Sequence, residues 1–95
     1  MKVKPVRPQA KAIQDRFFQA IDALIAEGKL SGLQPFCNQY GLLRTKYSSI
    51  RSTMKDSEKG TGYKFIDIDA LVYLVKDYNV SSDWLLLGRG EMFAK

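Results

Sequence analysis

Residues 33–52 read LQPFCNQYGLLRTKYSSIRS, and the spacing of Phe36, Cys37, Tyr40, Gly41, Leu42, Tyr47 and Ile50 within them decides the fold. Two short helices that cross steeply through a tight turn need a small residue where their backbones approach. They also need a glycine where the chain reverses. Cys37 and Gly41 stand at those places. Phe36 and Tyr40 then face inward on the first helix, Leu42 plugs the turn, and Tyr47 and Ile50 press the second helix onto both. The helical period leaves Arg44, Thr45, Lys46, Ser48, Ser49, Arg51, Ser52 and Lys55 outside, a face of cationic and hydrogen-bonding side chains.

Outward from this pair the pattern stays helical. Pro5 and Pro8 keep residues 1–8 out of a helix, so Lys2, Lys4 and Arg7 are expected on a flexible basic arm. From Gln9 or Ala10 onward, Ile13, Phe17, Ala20, Ile21, Leu24 and Ile25 recur at three- and four-residue steps, and Gly28 supplies the stop. Phe17 and Phe18 are adjacent, so only one is expected at the centre of that stripe, with Phe18 at its edge or at an interface. Ser31 is the candidate N-cap of the helix from Leu33 to Tyr40, with Pro35 in its first turn. The next helix is expected from Arg44 to Met54 or Lys55. Residues 56–64 hold two glycines and several charges without apolar periodicity, which predicts a loop. Asp67 then reads as the N-cap of a fourth helix whose apolar stripe is Leu71, Val72, Leu74, Val75 and Tyr78, with Asp69 well placed in its positive first turn. Ser81 or Ser82 caps a short fifth helix holding Trp84, Leu85 and Leu86 and ended by Gly88. Trp84 is expected to pack into the core, and Met92 and Phe93 either close that core or meet a second subunit. The chain is thus all-α, with five helices in one domain over residues 9–95.

The 95 residues, 45% hydrophobic and 26% charged, suffice for one small domain and exclude a multidomain enzyme. The net charge of +5 is placed unevenly. Residues 1–16 carry five bases against one acid, and residues 44–64 carry six against two, while the segments between and after are slightly acidic. A polyanion such as nucleic acid meets those two zones first; a solubilising surface is the bland reading of the same excess. A single cysteine and no histidine leave neither a disulfide within the chain nor a zinc site. No run of apolar residues is long enough to span a membrane, and MKVKPVRPQAK lacks the apolar core of a secretion signal, so a cytoplasmic protein is expected.

The stretch 33–52 resembles the helix-turn-helix of the lambda-repressor-like DNA-binding domains, and the likeness extends through the helices before and after it. The end, YNVSSDWLLLGRGEMF, is similar to the fifth-helix region of phage-repressor-type regulators. The departures are Cys37, where that family usually has alanine, and Tyr47, where it usually has an aliphatic residue. The resemblance implies a five-helix bundle whose third helix, about 44–55, enters the major groove of double-stranded DNA with its first residues toward the base edges. Arg44 and Lys46 would then reach guanine, Thr45, Ser48 and Ser49 would bond bases or phosphates, and Arg51 and Lys55 would hold phosphates. Gln34 would lie where the first motif helix meets the backbone, beside a helix N-terminus that attracts phosphate. It also implies a transcriptional regulator, usually a repressor, acting in the nucleoid as a homodimer on two half-sites. If the chain continues beyond GRGEMFAK, a further domain would be able to supply the dimer surface.

Catalysis finds no support. Without histidine the usual general base is missing, and Cys37 reads as a buried small residue. Gly60-Thr61-Gly62 and Gly88-Arg89-Gly90 lack the strand and the Lys-Ser/Thr of a phosphate-binding loop. No enzyme activity, cofactor, metal or small-molecule substrate is expected. The rival expectation is a protein-interaction module, such as an antitoxin, antirepressor or adaptor, that keeps the same scaffold. Lys59 and Lys64 either touch phosphates beside the third helix or decorate a loop.

Overall fold

A computed structural model describes residues 8–55 and 65–94. Within them the chain forms α1 (Pro8–Ala26), α2 (Leu33–Tyr40), α3 (Arg44–Lys55), α4 (Ile68–Tyr78) and α5 (Ser82–Leu87). The all-α expectation holds: among the described residues the only sheet-like pairing is an isolated bridge between Val80 and Phe93. No helix there is long and apolar enough to cross a membrane. The basic arm before Pro8 and the 56–64 loop, with Lys59 and Lys64, lie outside the described residues.

α1 supplies the spine of the core, burying Phe17, Phe18, Ala20, Ile21 and Leu24. It begins on Pro8 itself, not after it. A proline at the first helical position loses no hydrogen bond, and its fixed φ already suits the helix. Phe18 is a second correction: it is only 6% exposed. Its ring meets Phe17 edge-on, with centroids 5.0 Å apart, and the Arg51 guanidinium of α3 covers it at 5.7 Å. A cation above the ring thus closes a site that apolar periodicity alone left at the stripe's edge. Gln14, on the same helix, is buried and accepts the Ile66 backbone N–H at 2.9 Å, which satisfies both groups.

α2 and α3 run over the residues that their punctuation predicts. Gly41 closes α2 at φ 68°, a left-handed conformation in which its N–H and that of Leu42 both turn back to the Cys37 carbonyl. Phe36, Cys37, Tyr47 and Ile50 are buried, and Tyr40 and Leu42 are half-buried against them. The N-cap of α2 is Gly32, not Ser31, and it offers no side-chain oxygen to the first turn.

α4 packs Ala70 and Leu74 into the core, with Leu71, Val75 and Tyr78 half-buried beside them. Val72, expected in the same stripe, is instead 49% exposed. Tyr40 fastens α2 to α4: its ring stacks on Tyr73 at 4.0 Å and its hydroxyl donates to Asp77 at 2.6 Å. Burial and that hydrogen bond push the Tyr40 phenol upward from its ordinary value.

α5 lies against α1. Of the two serines expected to cap it, Ser81 does so, accepting from the Trp84 backbone N–H at 3.3 Å, and Trp84 packs half-buried on the core. Arg16 of α1 caps the other end, donating through Nε to the Leu85 carbonyl at 2.8 Å and through Nη2 to that of Leu86 at 3.1 Å. Gly88 makes room for it, since a Cβ there would stand 3.2 Å from Nη1 and the backbone is left-handed at φ 71°. Met92 and Phe93 close the core, as the first of their two expected roles had it. The Ser81 N–H bonds Met92 O at 2.8 Å and the Ala94 N–H bonds Asn79 O at 2.9 Å, which folds the last residues back along 79–81.

Gly41→Ala isolates the turn. Nothing lies within 4 Å of where the Cβ would be, so the methyl meets only the left-handed backbone penalty. Urea unfolding is expected to show a loss of about 1–2 kcal/mol with an unchanged denaturant slope; an unaltered midpoint would contradict the conformation.

Candidate functional site

α3 is held from two sides, and both holds bear on what its outer face presents. Tyr47 is fully buried, 5.8 Å from Phe17 between ring centroids. Its hydroxyl donates to Asp67 Oδ2 at 2.8 Å and accepts the Asp67 backbone N–H at 2.9 Å. Asp67 stands at the N-cap of α4, as expected, yet its carboxylate makes no capping bond to that helix. It also accepts from Lys46 Nζ, through Oδ1 at 3.2 Å. The Tyr47 hydrogen bond, aided by Lys46, draws the Asp67 carboxyl below its ordinary value against the opposing effect of burial. Burial in turn pushes the Tyr47 phenol up.

The second hold is Arg51. It pairs with Asp22 of α1 while lying over Phe18, and its side chain is 28% exposed. Two of the four cations expected on the outer face, Lys46 and Arg51, therefore each carry a carboxylate, that of Asp67 at the N-cap of α4 and that of Asp22 on α1. This is a correction to the outward reading of the α3 period. Each side chain leaves α3 near the boundary between its outer and inner faces, close enough for an acid on α4 or α1 to reach it.

Arg44 and Thr45 at the start of α3 are exposed, and Arg44 belongs to none of the ion pairs found among the described residues. Ser48 and Ser49 are half-buried and Ser52 is exposed; Ser49 and Ser52 have partners within the protein. The backbone of Lys55 closes α3, while its side chain lies outside the described residues.

A groove of about 590 Å³ joins several of these residues. One wall is residues 31–35, the turn and first residues of α2 including Gln34, and the other is Arg44, Ser48, Arg51 and Ser52 of α3. The uncapped start of α2 leaves its first N–H groups without a side-chain acceptor and directs the positive end of a helix dipole at this wall. Gln34, Arg44, Ser48 and Arg51 are thus brought together at one concavity. Thr45 and Lys46 are not among the residues that line it.

A groove with two guanidinium-bearing residues, hydroxyl donors and open backbone N–H groups suits an oxyanion with several acceptor oxygens. Cys37 is buried in the core, and that burial raises its thiol, opposed by Arg44. Periodicity placed Arg44, Lys46, Ser48 and Arg51 on α3 and Gln34 on α2 but gave no sign of the Asp22 and Asp67 pairings. No protein-family model, curated protein or solved structure matches this chain.

The Asp67 contact gives the fold an acid-sensitive element. A carboxyl that titrates lower when folded contributes its stabilisation fully above the unfolded value of about 3.9 and loses it as pH falls through the folded value. The Asp67 side chain is 43% exposed, so solvent screening keeps the contribution modest. Asp67→Asn is expected to lower the thermal midpoint at neutral pH, with the gap to the parent protein closing below about pH 4. A gap that stayed constant on acidification would assign the effect to something other than the charge.

Proposed function

We propose that this chain is a sequence-specific, double-stranded DNA-binding transcriptional regulator that inserts α3 into the major groove, and that it represses by occupying its site. The observation that carries this reading is the exposed start of α3, Arg44 and Thr45, beside the groove that α3 shares with the uncapped start of α2. A helix that meets DNA by its first turn needs a donor-rich tip for base edges and flanking donors for the phosphates on either side. Arg44 is the residue best suited to guanine, because its forked donors match the O6 and N7 acceptors. Gln34, the α2 N-terminus, Ser48 and Arg51 take a backbone phosphate in the groove. Lys46 contributes charge beside the tip, with its direction set by Asp67.

Two basic zones in the sequence agree with a polyanionic partner, and of these residues 8–16 and 44–55 are among the described residues. One recognition helix reads only a few base pairs, so two copies on a two-fold-related site about one helical turn apart complete the reading.

Selection of bound duplexes from a random library tests this directly, and quantitative binding to the selected site then sorts the residues. Arg44→Ala is expected to lower preference for that site over scrambled DNA by about 1–3 kcal/mol. Arg51→Ala is expected to weaken binding to all sequences alike and to reduce the salt dependence by close to one phosphate. It should also reduce stability, since it uncovers Phe18 and leaves Asp22 without its partner. A library that yields no enriched sequence, with binding indifferent to salt, would refute the DNA reading and favour a protein partner.

A further inference from the structure

α4 has two apolar faces, and the fold uses one. Ala70 and Leu74 are wholly buried, but Ile68 and Val72, one turn apart on another side, are 78% and 49% exposed. Asp69 and Lys76 flank Val72 at three residues before and four after, so all three lie along one exposed line of the helix. Neither charge takes part in an ion pair found among the described residues. The neighbouring acids are already engaged, Asp67 with Lys46 and Tyr47, and Asp77 with Tyr40.

This face is complementary to itself. When two copies meet with α4 antiparallel to α4, two-fold symmetry sends Asp69 of each copy to Lys76 of the other, because a residue pair in an isologous contact occurs twice. The midpoint between the two charges falls beside Val72, which then packs near its own equivalent at the axis, and Ile68 of each copy lies over the aliphatic stem of the other copy's Lys76. We propose that the Ile68–Val72 face of α4 is where a second copy of this chain docks, α4 against α4 in antiparallel order.

α5 also exposes apolar side chains, Leu86 and Leu87. Its only charged residue is Asp83, so a symmetric contact there has no base within the helix to answer the acid. The α4 contact is small: α4 has 11 residues and is about 16 Å long. A single helix of that length falls short of the roughly 1,200 Å² that a stable dimer buries. The association is therefore weak, and it strengthens wherever something else holds two copies close together.

Sedimentation equilibrium of the full chain without DNA, from micromolar to millimolar concentration, tests the surface independently of the DNA reading. A reversible monomer–dimer equilibrium is expected. Val72→Glu, which sets two carboxylates together at the axis, should leave only monomer. Asp69→Lys and Lys76→Glu singly should each weaken the dimer by about tenfold, and the two combined should bring it back toward the parent value. Both reversals oppose the helix dipole, so recovery in the double variant cannot arise from helix stability; circular dichroism confirms that each variant is folded. A chain that stays monomeric at every concentration, a double variant as weak as the singles, or a dimer lost on Leu87→Glu but indifferent to the α4 variants would each overturn the proposal.

Discussion

The Tyr47 side chain fixes where α3 can go. Its ring is fully buried beside Phe17, and its hydroxyl exchanges two hydrogen bonds with the residue that opens α4. An aliphatic side chain would fill comparable space but would leave the Asp67 N–H and carboxylate without this partner. The phenol therefore does two jobs at once. It adds apolar area to the core, and it ties the start of α4 to the end of the first turn of α3 through a charge-assisted bond. Everything on the outer side of α3, from Arg44 to Ser52, takes its direction from that anchor together with Ile50.

Around this anchor the other helices hold one another by polar contacts at their ends as well as by the shared apolar core. Arg16 caps α5, Gln14 satisfies the segment entering α4, and Tyr40 and Gln39 bond Asp77 and Tyr78 across α2 and α4. A chain this short buries a limited core, so pairing the orphan groups at helix termini contributes a sizeable share of its net stability.

What the sequence shows plainly is whatever local spacing controls. The bounds of α2 and α3 follow from Pro35, Gly41 and the recurrence of Phe36, Tyr40, Tyr47 and Ile50, because each of these acts within a turn or two. The same reasoning placed Gly88 at the end of α5 and narrowed its cap to Ser81 or Ser82. What stays hidden is pairing across long stretches of chain: Asp22 with Arg51, Gln14 with Ile66 and Arg16 with Leu85 are 29, 52 and 69 residues apart. No period reports such contacts. Phe18 and Val72 show how this error propagates. Phe18 is buried because Arg51 reaches over it, whereas Val72 is exposed because Ala70 and Leu74, two residues to either side, already fill the inner face. A smaller residue, Ala70, took a core position that hydrophobicity alone would give to a larger neighbour.

On the proposed reading, the pairing of Lys46 with Asp67 and of Arg51 with Asp22 bears on how the outer face meets a phosphate. A paired carboxylate competes with a phosphate for the same cation, which weakens binding. It also holds a long side chain in one place, which removes part of the roughly 2 kcal/mol of rotamer entropy that a free Lys or Arg loses when it binds. The side chains of both pairs are more than a quarter exposed, so each pair contributes only about 0–1 kcal/mol. That is less than the ordering it provides. The carboxylates therefore act chiefly to aim the cations, and counterion release from a nucleic acid supplies a larger force than the pairs can oppose. Arg44, which has no such tether among the described residues, suits on this reading the one side chain that must adapt to a base edge.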